Sequence, residues 1–177
     1  MKRRTLILLA VIPLLFVVIL VVYYRLGGFE EPTITRTTAE NYLLAGTGYR
    51  GTATDKALDE VFRKTDQLVK AGKLKGTFTI CYYGNPDTKT DTVSVFTGVI
   101  TADTSAALPK GYEWRRLPAR EVVRATVTSH VSVAPNPVKV NDAMKKFASE
   151  QGIRLDTFYM EKYINERNIV TEIPILR

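Results

Sequence analysis

The chain has 177 residues, with 25 Lys and Arg against 18 Asp and Glu, one His and one Cys, for a formal charge of +7. A single cysteine excludes an internal disulfide, and one histidine without Cys or carboxylate partners at metal spacing excludes the common zinc motifs. The charge is unevenly placed: Lys2, Arg3, Arg4 and Arg25 lie at the start, leaving 21 basic against 18 acidic residues, a balance of +3, for the remainder. That balance reads as a solvated surface, so no nucleic-acid partner is expected.

The first element is "TLILLAVIPLLFVVILVVYY", Thr5 to Tyr24, an uncharged apolar run of about the 20 residues that cross a bilayer as a helix. Pro13 is tolerable in such a helix, and Tyr23 and Tyr24 fall where an interfacial aromatic belt would lie. A cleaved signal peptide has a shorter apolar region and a small-residue cleavage site, whereas "RLGGFEEP" follows here, so an uncleaved anchor is expected. Lys2, Arg3 and Arg4 before the span, against Arg25 alone just after it, place residues 1–4 in the cytoplasm. Residues 25–32 read as a linker, and 33–177 as a domain outside the cell membrane, periplasmic in a Gram-negative host.

Residues 46–51 read "GTGYRG", the G-x-G-x-x-G spacing that cradles a pyrophosphate in dinucleotide-binding units. The acidic residue such a unit needs at the end of its second strand is missing from "TFTICYYGN", and Asp66 falls inside the intervening helix. The glycines therefore read as a turn between strand and helix, and no cofactor is expected.

Two helices follow a shared design. Leu58, Val61, Phe62, Thr65, Leu68 and Val69 recur at 3-and-4 spacing over about 54–71 and stop at Gly72; Asn136 caps and Pro137 opens a second helix that stops at Gly152. A shift of 80 residues after these glycines superposes Thr77 on Thr157, Phe78 on Phe158, Ile80 on Met160 and Tyr83 on Tyr163. β-rich runs follow in both halves, "DTVSVFTGVIT" and "NIVTEIPILR". The fold class expected is α+β: two strand-helix-strand-strand repeats, about 33–103 and 112–177, in one curved antiparallel sheet with both helices on one face, preceded by a transmembrane helix.

Strand alternation then sorts the side chains. Phe78, Ile80 and Tyr82, with Phe158, Met160 and Lys162, are expected beneath the helices. Thr79, Cys81 and Tyr83, with Tyr159, Glu161 and Tyr163, are expected on the other face. Cys81 reads as a small buried side chain, and His130 as a surface or cap residue.

The order of the strand, glycine loop and helix, then "TICYYGNPD", "LPKGYEWRRLPAREVVRATV", "YMEKYIN" and "TEIPILR", resembles the GyrI-like family, the effector-binding domain of some bacterial transcription activators. The resemblance covers roughly 33–177 and implies a ligand cleft on the sheet face away from the helices. Family regulators carry a DNA-binding helix-turn-helix before this module, where the present chain has its apolar run. Family binders hold lipophilic, often cationic, molecules with a buried glutamate among aromatics, and some members hydrolyse small electrophiles with a glutamate and an aromatic residue.

The matching glutamate is expected to be Glu161 in "YMEKY", with Tyr83, Tyr159 and Tyr163 beside it and Trp114 closing the cleft. As a binder, the carboxylate would offset a ligand cation while the tyrosines supply cation-π attraction and apolar area. As a hydrolase, Glu161 would serve as general base. A tethered protein-interaction module is the third possibility. Glu172, of parity opposite to Ile173, reads as structural.

Overall fold

A computed structural model describes residues 3–84, 92–105 and 107–176, with side chains from Val11 onward. Asn85, Pro86 and Asp87, the end of "TICYYGNPD", lie outside the described residues. The elements in order are α1 (Arg3–Arg25), β1 (Thr33–Thr38), β2 (Tyr42–Thr52), α2 (Lys56–Lys70), β3 (Thr77–Tyr83), β4 (Thr92–Ile100), β5 (Glu113–Leu117), β6 (Glu121–Val127), α3 (Pro137–Glu150), β7 (Phe158–Asn165) and β8 (Asn168–Pro174). Among the described residues no helix is long and apolar enough to cross a membrane. The transmembrane helix expected from the sequence is therefore not found among them.

Local chemistry sets the helix bounds. Asp55 caps α2 by accepting from the Ala57 N–H, and Asn136 caps α3 by accepting from the Val138 N–H, each satisfying a donor the first turn leaves open. Gly72 and Gly152 follow the C-caps at φ +68° and +65°, a left-handed backbone that glycine enters without a Cβ penalty.

The eight strands form one antiparallel sheet in the order β1-β6-β8-β7-β3-β4-β2-β5. Each half thus has one strand more than expected, and the extra strands are exchanged: β1 pairs with β6 of the second half and β5 with β2 of the first. In a flat sheet the six steps from β1 to β2 would separate them by roughly 29 Å. Yet only Ala39, Glu40 and Asn41 join these strands, a length that reaches at most about 15 Å. Pro118, Ala119 and Arg120 make the same short crossing from β5 to β6. The sheet must curl, and the backbone bond from Ala39 N–H to the Arg120 carbonyl ties the two crossings together at the mouth of the concave side.

The convex side carries the helices. Val140, Met144 and Ala148 of α3 pack on Val123, Ala125, Val127 and Ile173, while Leu68 and Val69 of α2 meet Ala45 and Val99. The concave side has its own cluster, Leu44, Cys81, Phe96 and Met160.

The glycine run is strand, not turn. Gly46 lies opposite Gly98, Gly48 opposite Phe96 and Gly51 opposite Val93. A Cβ on Gly46 would stand 2.6 Å from the Phe96 ring, and one on Gly98 would stand 2.1 Å from the Ala45 carbonyl oxygen. Gly46 and Gly98 let β2 and β4 approach closely and let the Phe96 ring lie across them, whereas a Cβ on Gly48 would meet nothing closer than 3.8 Å.

Candidate functional site

The register of the two central strands decides which residues meet. β3 and β7 pair with Phe78 opposite Tyr163, Ile80 opposite Glu161 and Tyr82 opposite Tyr159. Directly opposed residues share a face, so Glu161, Tyr159 and Tyr163 lie beside Phe78, Ile80 and Tyr82 under the helices. The expected grouping of Glu161 with Tyr83 on the cleft face is corrected. The cause is a slip of one residue: β3 begins at Thr77 and β7 at Phe158, and α2 begins at Lys56 and α3 at Pro137, both offsets being 81 and not the 80 of the glycine alignment. A slip of one exchanges the faces of an entire strand.

The concave face holds a cavity of about 480 Å³. Tyr42, Tyr83, Leu117, Phe158 and Met160 form much of its wall, Val122, Pro174 and Glu172 its far side, and Pro118 and Arg120 part of its mouth. Of the residues expected at the site, Tyr83 lines this cavity. Trp114 projects from β5 on the helix side, opposite Ala45, and lines a separate small pocket with Leu74 and Val99.

Glu172 is 2% exposed and is the carboxylate of the cavity. Its Oε1 accepts from Arg124 Nε at 2.8 Å and from Lys162 Nζ at 2.7 Å, with Arg124 Nη2 also at 2.7 Å. Tyr42 reaches across the curled sheet to donate to Oε2 at 3.1 Å and accepts from Lys162 Nζ at 2.9 Å. Burying a charge is costly without partners; here two cations and a phenol supply them. Three strands cooperate in this, since Arg124, Glu172 and Met160 stand in one row across β6, β8 and β7, with Lys162 one pleat along.

A second polar chain braces the wall. Arg115 donates to the Tyr83 hydroxyl at 2.9 Å, pairs with Glu113 at 2.7 Å, and lies 4.0 Å from the centroid of the Phe96 ring. Burial raises the Tyr83 hydroxyl's pKa, and the Arg115 bond pulls it partly back. Cys81, fully buried beneath, has its thiol pushed up to about 12 by burial, which keeps it protonated and unreactive.

Glu161 has a different setting. It is 3% exposed, accepts from the Tyr163 hydroxyl at 3.1 Å, and has no ion pair among the described residues. Burial raises its pKa, while hydrogen bonds from Tyr163 and Tyr82 oppose the rise. Tyr82 stacks on Tyr159 with centroids 4.4 Å apart, and burial pushes the Tyr159 hydroxyl up to about 12. Among the described residues no cluster of His, Cys, Asp and Glu could hold a metal ion.

No protein-family model matches the sequence, and no curated protein matches it. Solved structures do match in shape. EcmrR, in its complex with DNA, superposes with a TM-score of 0.59 at 10% identity over 99% of this chain and 70% of that one. The isolated EcmrR C-terminal domain gives 0.58 at 10% identity, over 84% and 99%. The likeness is one of fold. An integron cassette protein of Vibrio cholerae superposes on this chain at a TM-score of 0.55 and 14% identity, over 81% of this chain and 95% of that one. A hydrolase from Listeria innocua does so at 0.53 and 11%, over 87% and 98%. These neighbours agree with the fold that the GyrI-like resemblance implies.

Sequence reasoning missed Arg124, Lys162 and Tyr42, and it read Glu172 as structural. A signal was present, because "VVRATV" and "NIVTEIP" each carry one charge, of opposite sign, at mid-strand among apolar residues, the mark of a buried pair.

Proposed function

We propose that this domain binds a small, predominantly apolar molecule within the concave cavity, as a sensor or sequestering protein, and that α1 anchors it to a membrane. The observation that carries the binding reading is the cavity itself. About 480 Å³ of space walled by Tyr42, Tyr83, Phe158, Leu117 and Met160 around one buried carboxylate has the size and composition of a small-molecule site. The GyrI-like resemblance points to the same face.

The anchor reading rests on the uncharged run from Thr5 to Tyr24 and on its continuity as helix. Side chains of that run are described only from Val11, so its described part falls short of a full span. From Val11 to Val22 its large apolar side chains are at least 41% exposed, which a bilayer would cover. The end of α1 is fixed to the domain, with Arg167 Nη2 donating to the Arg25 carbonyl at 2.7 Å and His130 N–H to that of Leu26 at 2.8 Å.

The test is binding of the neutral lipophilic dye N-phenyl-1-naphthylamine to the purified full-length protein, with Leu117→Trp as the filled-cavity variant. Saturable binding that the variant loses supports the reading, and equal binding by both proteins defeats it. Carbonate extraction of cells expressing the chain tests the anchor separately, which predicts retention in the membrane pellet.

A further inference from the structure

We propose that the concave cavity selects lipophilic anions over lipophilic cations; this deepens the binding reading above and rests on it. The reason lies in how its carboxylate is occupied. Glu172 Oε1 already takes Arg124 and Lys162 at 2.7–2.8 Å, so the charge that would attract a ligand cation is neutralised twice over by side chains on the neighbouring strands. A ligand cation would have to displace a partner that the fold holds at high effective concentration. What remains open is Oε2, engaged by the Tyr42 hydroxyl at 3.1 Å, which can accept a neutral hydrogen bond.

The balance of charge around the space points the same way. Of the charged residues lining the space, Arg120, Glu172 and Asp156, Glu172 is already paired with Arg124 and Lys162, and behind the wall Arg115 is bonded to Tyr83. Glu113 is engaged by Arg115. Asp156 directs Oδ1 to the Phe158 N–H at 3.2 Å. Arg120 is exposed, lines the cavity, and has no side-chain partner among the described residues. A molecule with an apolar body on Tyr42, Tyr83, Phe158 and Met160 and an anionic group toward Arg120 would meet complementary chemistry at both ends. The ligand class is therefore an amphiphilic monoanion, such as a hydrophobic carboxylate or sulfonate.

Tetraphenylborate and tetraphenylphosphonium present nearly the same apolar surface with opposite charge, which makes their affinity ratio a measure of the cavity's electrostatics. Calorimetric titration of each into the full-length protein is expected to favour the borate. Arg120→Glu, at an exposed position, and Lys162→Met, which leaves Glu172 its Arg124 partner, are each expected to shift the ratio toward the phosphonium by about tenfold or more. Phosphonium bound as tightly as borate by the wild type, or a ratio unmoved in both variants, overturns the proposal while leaving the cavity reading in place. If neither ion binds saturably, or if Leu117→Trp binds both like the wild type, the cavity reading fails and this inference falls with it.

Discussion

Arg124 and Glu172 face each other across β6 and β8 as partners in the ladder, and Arg124 sets both Nε and Nη2 within 2.8 Å of Oε1 of that carboxylate. Lys162 completes the arrangement from β7. Removing the shared anion would strand two cations, one of them only 7% exposed. Glu172→Gln is expected to lower stability by about 3–5 kcal/mol, and Lys162→Met, which keeps the Arg124 pair, by less. Urea denaturation of the two variants checks the order, and a smaller loss for Glu172→Gln would contradict it.

The Gly46–Gly98 crossing makes a second prediction. A methyl group on Gly98 would stand 2.1 Å from the Ala45 carbonyl oxygen and 2.5 Å from Gly46 Cα, while one on Gly48 meets nothing closer than 3.8 Å. Gly98→Ala should cost about 3 kcal/mol by forcing the strands apart. Gly48→Ala should be neutral or stabilising by up to about 1 kcal/mol. Thermal unfolding of the pair separates a packing glycine from a dispensable one.

Glu161 yields a pH dependence. Its folded pKa is raised, chiefly by burial, so the folded chain holds the proton more tightly than the unfolded one. Its contribution to stability is fully present below the ordinary carboxylate pKa and is lost as pH rises through the raised value. Glu161→Gln removes that loss. The melting temperature of the variant relative to wild type should rise from pH 4 to pH 8, and a difference independent of pH would show that Glu161 ionises in the fold without penalty.

Much of this fold was legible, because its signals are local. Asn136 and Pro137 marked one helix start, Gly72 and Gly152 both stops, and the paired β-rich runs the duplication. The strands β1 and β5 were not legible. "TITRTT" is polar and mostly exposed, and a strand paired on one side at a sheet edge needs no apolar face to announce it. The grouping of the faces was lost through the single-residue offset between the halves. That slip moved Glu161, Tyr159 and Tyr163 to the wrong side of the sheet on paper, while Tyr83, in the half whose faces were read correctly, lines the cavity. Tyr42 could not have been found from spacing at all, since it meets Glu172 only because the sheet curls.

Met160 and Met144, two of the three methionines, allow the most direct test of where a ligand sits. Met160 lines the concave cavity, and Met144 is buried between α3 and the convex face. In the full-length protein labelled at the methionine methyl carbons, titration with N-phenyl-1-naphthylamine should shift the Met160 resonance progressively and leave Met144 in place. A moving Met144 signal with Met160 silent would put the ligand under the helices beside Glu161 and contradict the assignment of the site to the concave face.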